Sequence, residues 1–425
     1  MRENSTHTIC APATAIGGAI GIIRVSGSDA IQIVNQLFSK DISQARGYTM
    51  HYGQITGIDD VIVNICRAPH SYTGEDTVEI SHHGSPYIQQ QILQVLIQVG
   101  CQMAKPGEFT QRAFLNGKMD LTQAEAVADL IASNSAASHR IAMQQMRGGI
   151  SRRLSELSDQ LLQLTSLLEL ELDFSEEDVE FADRLKLIKI AKSVERELQR
   201  LTDSFSMGNA LKNGIPVAII GAPNVGKSTL LNQLLQEDKA IVSDIQGTTR
   251  DVVEDTIQIQ GQTFRFIDTA GIRHTEDKIE QLGIARTRSA AEKAYIIIML
   301  TEPGVPYPEI PIRDDQHVIY IVNKSNQFQA LTGQGMDTLI RQLLDACPHP
   351  SEEDIIITNQ RHQQALTQSL SAIRRALTSL RSNLSGDLVS EDLRLCLQYA
   401  EEVTGRHISS DSILGNIFKH FCIGK

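Results

Sequence analysis

The chain has 425 residues, enough for two to four domains with large cores. A formal net charge of −12 and a pI near 5.5 exclude a protein that binds nucleic acid through overall basicity, so any such binding needs a local patch or a partner's surface. We expect a cytoplasmic protein, because no stretch is apolar enough to span a bilayer and the N-terminus lacks a signal pattern. The cysteines are scattered and form no C-x-x-C pair, which is typical of free thiols in a reducing compartment. They are Cys10, Cys66, Cys101, Cys347, Cys396 and Cys422.

Short apolar and alternating runs predict an N-terminal α+β domain over residues 1–118. Five strands and two helices are expected there. The predicted strands are Thr8–Ala11, Ile20–Val25, His51–Thr56, Val61–Cys66 and Val78–Ser81, and the predicted helices are Ser28–Phe38 and Pro86–Val99.

Three stretches of this region carry polar groups suited to recognition. Arg24 is a charge inside an apolar strand, Glu79 lies on a strand beside a glycine turn, and Lys118 falls in a segment dense in polar and turn residues. These side chains suit an anionic ligand that forms hydrogen bonds, and a surface set of salt bridges is the alternative. The stretches are Gly17–Gly27, Ser71–Ile80 and Lys105–Glu125.

A long helical pattern begins at Leu121. Leucines from Leu154 to Leu172 repeat at three-and-four spacing, which is typical of a buried helix face, and the acidic turn Asp173–Glu180 interrupts them. A further helix is predicted over Ala182–Ser204, and the helical pattern resumes after Pro350. We therefore predict a helical domain made of residues 119–213 and 347–425, with a separate domain, 214–346, inserted into it.

The inserted region opens with a complete phosphate-binding loop. Gly221-Ala-Pro-Asn-Val-Gly-Lys-Ser-Thr229 follows an apolar run typical of a buried strand and precedes leucines at helical spacing. Its glycines allow a sharp turn that aims backbone amides at phosphate oxygens. Lys227 would reach the outer phosphates and Ser228 would offer a hydroxyl to Mg²⁺. The alternative, a glycine-rich turn without a ligand, is disfavoured by this context.

Downstream motifs indicate which nucleoside triphosphate domain this is. Thr256–Ile259 and Thr263–Ile267 predict a hairpin around Gly261, and Asp268-Thr-Ala-Gly271 follows it. Between the loop and the hairpin, Gly247–Asp251 suits a switch segment in which one threonine reaches the metal. Strands Tyr295–Leu300 and His317–Val322 complete the pattern of a GTPase-like α/β domain.

The residues expected to select the base depart from the usual GTPase pattern. Asn323-Lys324-Ser325-Asn326 resembles the Asn-Lys-x-Asp guanine reader, but Asn326 replaces a carboxylate that would accept two hydrogen bonds from guanine. Leu331-Thr-Gly-Gln-Gly335 stands where GTPases have a final base-contacting loop. Guanine selectivity therefore stays open at this point.

Over essentially its full length the chain resembles the MnmE (TrmE) family of bacterial and organellar tRNA-modification GTPases. The matching stretches are residues 8–14, 72–76, 105–109, 112–116 and 121–126, the switch segment 247–251, and the terminal Phe-Cys-Ile-Gly-Lys425. The C-terminal pentapeptide is the most specific match, because packing alone does not explain it.

The resemblance implies a multidomain α/β and α architecture in which the N-terminal domain dimerises and binds 5-formyltetrahydrofolate or a related tetrahydrofolate. Arg24, Glu79, Lys118 and Lys425 are the implied folate contacts, and Cys422 matches a near-terminal cysteine of the family. It further implies a heterotetramer with the flavoprotein MnmG (GidA). The pair would add a carboxymethylaminomethyl or aminomethyl-type group at C5 of the wobble uridine of certain tRNAs.

The same resemblance implies hydrolysis of GTP assisted by K⁺ rather than by an arginine finger. Asn224, Ser243, Ile245 and Thr248 are the implied K⁺ ligands. Ser228 and Thr249 would hold Mg²⁺. Glu280 would orient water, with Lys227 and Gly271 as the other catalytic residues. The implied GTP-binding residues are Asn224, Val225, Gly226, Lys227, Ser228, Thr229, Ser243, Asp244, Ile245, Gln246, Gly247, Thr248, Thr249, Asp268, Thr269, Ala270, Gly271, Asn323, Lys324 and Asn326.

Two alternative functions are weighed against this one. A ribosome-assembly GTPase would share the switch motifs, but the folate-like N-terminal stretches and the terminal Cys-Ile-Gly-Lys disfavour it. A folate-dependent one-carbon enzyme with a degenerate nucleotide domain would explain Asn326. The intact Lys227, Ser228, Asp268 and Glu280 disfavour that interpretation.

Overall fold

The computed structural model describes residues 7–173, 184–237, 255–267, 288–351, 354–382, 384, 386–406, 417–418, 421 and 424. The chain divides into two compact units, which are described separately. Unit one contains residues 1–128, 146–155 and 400–425, and unit two contains residues 129–145 and 156–399. The three-domain boundaries expected from the sequence remain a prediction.

Unit one is built on a six-stranded sheet with the order β3-β4-β5-β2-β1-β6. All five predicted strands are confirmed with small shifts of their ends, and β6, which pairs parallel to β1, is an addition. The strands are β1 Ile9–Pro12, β2 Ile20–Ser26, β3 Thr49–Ile55, β4 Asp59–Cys66, β5 Thr77–His83 and β6 Gln102–Met103.

Helices α1 (Ala30–Leu37) and α2 (Pro86–Gln98) pack on one face of this sheet, as their apolar residues predict. Alternate residues of the strands, such as Val63 and Ile80, point into that core and are fully buried.

The opposite sheet face carries two rows of side chains across the strands. One row runs Met50, Asn64, Glu79, Arg24 in register, and the other runs Tyr52, Ile62, Ser81, Ile22. Three apolar members of these rows are exposed, with 67% of Met50, 61% of Tyr52 and 38% of Ile62 accessible. This face therefore exposes apolar residues at the edge strand β3 and neighbouring β4, and carries a charged pair on the inner strands β5 and β2.

A helix that the sequence pattern does not predict, α3 (Glu108–Leu115), follows the sheet. Its segment is dense in polar groups, yet Phe109 and Ala113 are fully buried. Gly107 precedes it with φ of 70°, and a Cβ there would lie 2.7 Å from the carbonyl oxygen of Phe418. Phe418 also packs with Leu121 of the next helix, so residues near the C-terminus belong to unit one.

The remaining helices follow the predicted helical pattern, with α5 and the last turns of α7 as additions. The predicted end of α7 at Ser204 is wrong, because the helix continues to Asn213, where Gly214 with φ of 91° ends it. The helices are α4 Leu121–Ala132, α5 Ala136–Met146, α6 Gly149–Asp173, α7 Arg184–Asn213, α8 Lys227–Glu237, α9 Met336–Asp345, α10 Gln360–Arg381 and α11 Gly386–Thr404. None of the helices in the described ranges is long and apolar enough to cross a membrane.

Unit two holds a five-stranded sheet with the order β11-β10-β7-β9-β8. The strands are parallel except β8, which pairs antiparallel with β9 and confirms the predicted hairpin. They are β7 Ile215–Ile220, β8 Asp255–Ile259, β9 Gln262–Phe266, β10 Ile296–Thr301 and β11 His317–Val322.

Both faces of this sheet are covered, which explains why β7 and β10 are apolar throughout. Ile296, Ile298 and Leu300 face a core that includes residues of α8 and α9. Ile297 and Met299 face a second core with alanines of the helical residues 288–293 and Ala294. The result is an α/β sheet with helices on its two sides.

Gly208 brings α7 close to the segment that precedes α10. A Cβ on Gly208 would lie 2.2 Å from the carbonyl oxygen of Ile357. The N–H of Ile357 donates to Ser204 Oγ at 3.1 Å, so this segment is also held to α7 by a hydrogen bond. Backbone cannot retreat cheaply from such a contact, so the position requires glycine despite its low helix propensity.

We predict that Gly208→Ala lowers the stability of the protein. Alanine is favoured over glycine by about 1 kcal/mol in a helix, but the clash with Ile357 costs about 1–3 kcal/mol, so the net loss is on the order of 1 kcal/mol. Urea unfolding followed by circular dichroism measures it. Ser206→Ala, on the exposed side of the same helix, is the control and should not lower the midpoint. A Gly208→Ala protein as stable as the parent would contradict the close packing.

Candidate functional site

The phosphate loop lies at the C-terminal end of β7, where the sheet order changes direction. The chain passes from β7 to β8 and β9 on one side and then to β10 and β11 on the other, and ligands of such sheets bind at this switch point. The strand ends at Ile220, and α8 begins at Lys227. Ser228 and Thr229, the predicted Mg²⁺ and nucleotide residues, occupy the first turn of α8.

Two glycines of the loop are required by close backbone contacts. A Cβ on Gly221 would lie 2.2 Å from the carbonyl oxygen of Leu300, and one on Gly226 would lie 2.4 Å from Asn323 Nδ2. Gly226 has φ of 95° and Asn224 has φ of 63°, so both adopt the left-handed region. Alternation of left-handed and right-handed residues turns successive amides toward one side, which is the geometry of an anion-binding loop.

Lys227 is held against this loop. Its Nζ donates to the carbonyl oxygens of Gly221 at 2.9 Å and Ala222 at 2.8 Å. Burial lowers the pKa of the Lys227 ammonium below its usual value. A partly desolvated cation beside a ring of amides favours a multiply charged anion such as a triphosphate.

Asn323 joins the phosphate loop to the loop after β11. Its Nδ2 donates to the carbonyl oxygen of Val225 at 2.8 Å, and its Oδ1 accepts from the N–H of Ala330 at 2.9 Å. Only 4% of the residue is exposed. The sequence assigned Asn323 to base reading, but the side chain acts here as a buried bridge, and nothing in the sequence pattern separates these two roles.

Lys324 and Asn326 lie at the exposed side of the same bridge. Lys324 has φ of 56°, and its Nζ pairs with Glu302 Oε1 and lies 3.4 Å from the carbonyl oxygen of Asn224. Asn326 is exposed, and its backbone carbonyl accepts from Gln334 Nε2 at 2.7 Å. The structure thus brings the predicted base-reading motif, the 331–335 loop and the phosphate loop together. No sequence pattern indicated that Glu302 would be a neighbour of this motif.

Several predicted nucleotide residues lie outside the described residues. They are Ser243, Asp244, Ile245, Gln246, Gly247, Thr248, Thr249, Asp268, Thr269, Ala270, Gly271 and Glu280. Their roles stay predictions. Within the described part of the chain, no cluster of three His, Cys, Asp or Glu side chains is placed to hold a metal ion.

A second cluster of predicted residues lies in unit one. Arg24 and Glu79 face each other on paired strands, and the Arg24 Nη2 and Nε atoms lie 2.9 and 3.0 Å from Glu79 Oε1. The Arg24 guanidinium carbon is 5.4 Å from the ring centroid of Tyr72 and 5.7 Å from that of Phe109. These two rings were not predicted as part of the site, although Tyr72 belongs to the motif 72–76.

The C-terminal end of the chain completes this cluster. Arg24 Nη1 donates to the carbonyl oxygen of Gly424 at 3.2 Å. A Cβ on Gly424 would lie 2.0 Å from the carbonyl oxygen of Pro12, so only glycine fits between β1 and Arg24. The expected return of the chain end to the N-terminal sheet is therefore confirmed up to Gly424. Lys425 and Cys422 lie outside the described residues.

Lys118 sits on the turn that joins Tyr72 to Glu75. Its Nζ donates to the carbonyl oxygen of Pro69 at 2.9 Å, and a Cβ on Gly74 would lie 3.2 Å from its Cγ. Neighbouring Asn116 Nδ2 donates to the carbonyl oxygen of Thr73 at 2.8 Å. One turn therefore carries a ring that stacks on Arg24 and a backbone that packs against Lys118.

Two family models match the chain. The model described as GTP-binding protein TrmE N-terminus matches residues 8–118, and the model described as MnmE helical domain matches residues 121–422. Among solved structures, the cytosolic domain of the T. maritima FeoB iron transporter in GMPPNP form is 15% identical and covers 44% of this chain and 97% of its own. Its TM-score is 0.22, so no structural relationship is inferred from this match.

Relatives named tRNA modification GTPase MnmE match along their whole length. The Bacteroides thetaiotaomicron protein is 51% identical over 98% of this chain and 99% of its own. The Parabacteroides distasonis protein is 53% identical over 98% and 100%, and the Porphyromonas gingivalis protein 47% identical over 100% and 99%. Identity at this level over both full lengths, together with the two family models, shows that the chain belongs to the MnmE (TrmE) family.

Proposed function

We propose that this GTP hydrolase of the MnmE family acts in tRNA modification together with the flavoprotein MnmG. The modification is the addition of an aminomethyl-type or carboxymethylaminomethyl group at C5 of the wobble uridine. The observation that carries the proposal is that one chain, 47–53% identical to three relatives of that name, holds both a complete phosphate loop and an arginine cluster closed by the C-terminus. The three-domain division, with residues 214–346 as the inserted GTPase domain, is part of this proposal.

Nucleotide binding is assigned to the phosphate loop and its neighbours. The amides around Gly226 and the Lys227 ammonium would hold the outer phosphates, and the hydroxyls of Ser228 and Thr249 would hold Mg²⁺, whose preferred ligands are hard oxygens. Mg²⁺, when bound, supplies positive charge that stabilises the departing phosphate. Lys227 fits this role because its Nζ already lies at the loop carbonyls.

Hydrolysis is assigned to residues that would hold K⁺ and water. Asn224 would contribute its amide oxygen to K⁺, together with Ser243, Ile245 and Thr248, and Glu280 would orient the attacking water. Asn224 is exposed at the tip of the loop, which suits a residue that becomes covered when two GTPase domains meet. When bound there, K⁺ supplies the positive charge that an arginine finger gives in other GTPases.

Folate binding is assigned to Arg24, Glu79, Lys118 and Lys425. Arg24 is 15% exposed and Glu79 30% exposed at the side chain, so both remain open to a ligand. Arg24 bonds Glu79 through Oε1, which leaves Oε2 to accept from the N–H edge of a pterin. The rings of Tyr72 and Phe109 orient the guanidinium, and Lys118 and Lys425 would meet the carbonyl or carboxylate groups of a tetrahydrofolate.

A homodimer formed through the N-terminal domain is part of the proposal. The sheet face that α1 and α2 leave uncovered exposes Met50, Tyr52 and Ile62, and the row that begins at Met50 leads to Glu79 and Arg24. An apolar edge of this kind favours contact with a second copy of the same face. The folate cluster would then lie beside the interface.

We predict that GTP hydrolysis is much faster in K⁺ than in Na⁺ at equal ionic strength. Asn224→Ala should remove this difference because it deletes one ligand oxygen, and nucleotide binding should persist because Lys227 and the loop amides are unchanged. Steady-state phosphate release in the two salts measures it, with Gln44→Ala, an exposed amide of unit one, as the control. Equal rates in K⁺ and Na⁺ for the parent protein would refute the assignment.

We predict that Asn326→Asp strengthens GTP binding. A carboxylate that accepts from guanine N1–H and N2–H adds one charge-assisted hydrogen bond, on the order of 1–3 kcal/mol. Titration with fluorescent GTP and ATP analogues measures affinity and selectivity. Gln327→Glu, an exposed neighbour, controls for added negative charge. If Asn326→Asp changes neither GTP affinity nor preference over ATP, position 326 does not read the base.

We predict that Arg24→Ala, and separately deletion of the last four residues, abolishes tRNA modification while K⁺-stimulated hydrolysis persists. Each removes a partner of the Arg24–Gly424 contact and, with it, folate binding. Mass spectrometry of wobble uridines from a complemented deletion strain reports function, and calorimetry with 5-formyltetrahydrofolate reports binding. Arg46→Ala, in the same unit but outside the cluster, is the control. Unchanged folate affinity in both variants would place the pocket elsewhere.

A further inference from the structure

Helices α7 and α10 carry a disproportionate share of the positive charge of an acidic chain. Together they hold eleven of the 39 Lys and Arg residues and three of the 51 Asp and Glu residues, and α10 has four arginines and no acid. The two helices pack side by side within unit two. A chain with a net charge of −12 therefore has one strongly basic pair of helices.

The cations of α7 form one solvent-facing stripe. Lys189, Lys192, Arg196 and Arg200 follow each other at spacings of three and four, and all four are exposed. The opposite side of the helix is the buried side, which includes Leu198. The stripe spans twelve residues, or about 16 Å of helix.

The cations of α10 extend this stripe sideways. Arg374 Nε lies 3.1 Å from Glu195 Oε1 of α7, and Arg375 Nε lies 2.8 Å from Asp392 Oδ1 of α11. Both arginines remain about half exposed. They line an open groove of about 560 Å³ together with hydroxyl side chains of α10, namely Thr367, Ser371, Thr378 and Ser379.

We call the exposed Lys189, Lys192, Arg196, Arg200, Arg374, Arg375 and Arg381 the basic surface. Four of them, Lys189, Lys192, Arg196 and Arg381, have no ion-pair partner among the residues that the structure describes. Cations that the fold does not use for pairing are available to an external anion. Arginine forks and hydroxyl donors in one groove match phosphate oxygens, which accept from both.

We propose that the basic surface binds the phosphate backbone of tRNA. The inference rests on the proposed function, and it supplies the local patch that an acidic chain needs to bind nucleic acid. The groove lining contains one apolar residue, Leu370, and no aromatic ring. A protein interface would place apolar and aromatic side chains at its centre, and recognition of unstacked bases would need rings. The surface therefore reads backbone charge rather than base identity.

The test is tRNA binding by the full chain as a function of salt. The probe is a fluorescently labelled tRNA transcript with uridine at the wobble position. In the variant Lys189→Gln/Lys192→Gln/Arg196→Gln, three phosphate contacts are lost. The slope of log K against log salt should become shallower by about 2–3, and binding at low salt should weaken about tenfold or more. Charge-preserving Arg196→Lys should bind as the parent does, and GTP hydrolysis should not change in either variant.

A matched control removes the same charge elsewhere. Arg140→Gln/Arg152→Gln/Lys293→Gln changes three exposed cations on other elements and should leave the salt slope within one unit of the parent. If the basic-surface variant and this control bind tRNA equally, the basic surface is not the RNA site, while the tRNA role of the protein stands. A parent protein that binds no tRNA at any salt concentration would overturn both the assignment of the basic surface and the proposed tRNA role.

The same variants separate RNA from an acidic protein partner. If the basic-surface variant binds tRNA normally but loses affinity for the purified flavoprotein, the surface docks protein and the inference is overturned. If tRNA affinity falls and flavoprotein affinity does not, the assignment to RNA backbone is supported.

Discussion

A single buried amide holds the nucleotide site together. Asn323 is bonded at both ends, to the carbonyl of Val225 and to the N–H of Ala330, and it is almost fully buried. Loss of this side chain would leave two buried backbone groups unpaired, at a cost of about 1–3 kcal/mol each. The phosphate loop, the end of β11 and the loop before α9 therefore keep their relative positions through one residue. It aligns the loop amides with the residues predicted to read the base.

In unit one, the charged Arg24 cluster likewise holds together segments that are distant in the sequence. Arg24 stands on a mostly apolar strand, and Glu79, two aromatic rings and the Gly424 carbonyl surround its guanidinium. Because five donors of fixed geometry are shared among these partners, the cluster fixes both the sheet and the chain end. The same sheet face then runs into exposed apolar residues at β3. The row from Met50 to Arg24 therefore contains both the residues that stabilise the cluster and residues exposed for recognition.

Local patterns predicted most of the elements and few of the contacts. The run His317–Val322, the β8–β9 hairpin and the phosphate loop were predictable because strand periodicity and glycine placement are local. Helix α3 was not, because its four apolar residues are matched by four polar ones, and one of these, Arg112, bonds to groups distant in the sequence. The bridging role of Asn323 and the pairing of Arg24 with Gly424 depend on tertiary contacts, the second across 400 positions, and no periodicity encodes them.

The contact between Arg24 and Gly424 also sets an order in time. A ribosome adds roughly 5–20 residues per second, so about 20–80 seconds separate the synthesis of β2 from that of the chain end. The six-stranded sheet and the pair of Arg24 with Glu79 need only the first 103 residues, whereas the Gly424 carbonyl that completes the cluster is made much later. A chain that stops early can therefore fold its N-terminal sheet, yet its arginine lacks the final partner. Completion of this cluster therefore reports that translation has passed Gly424.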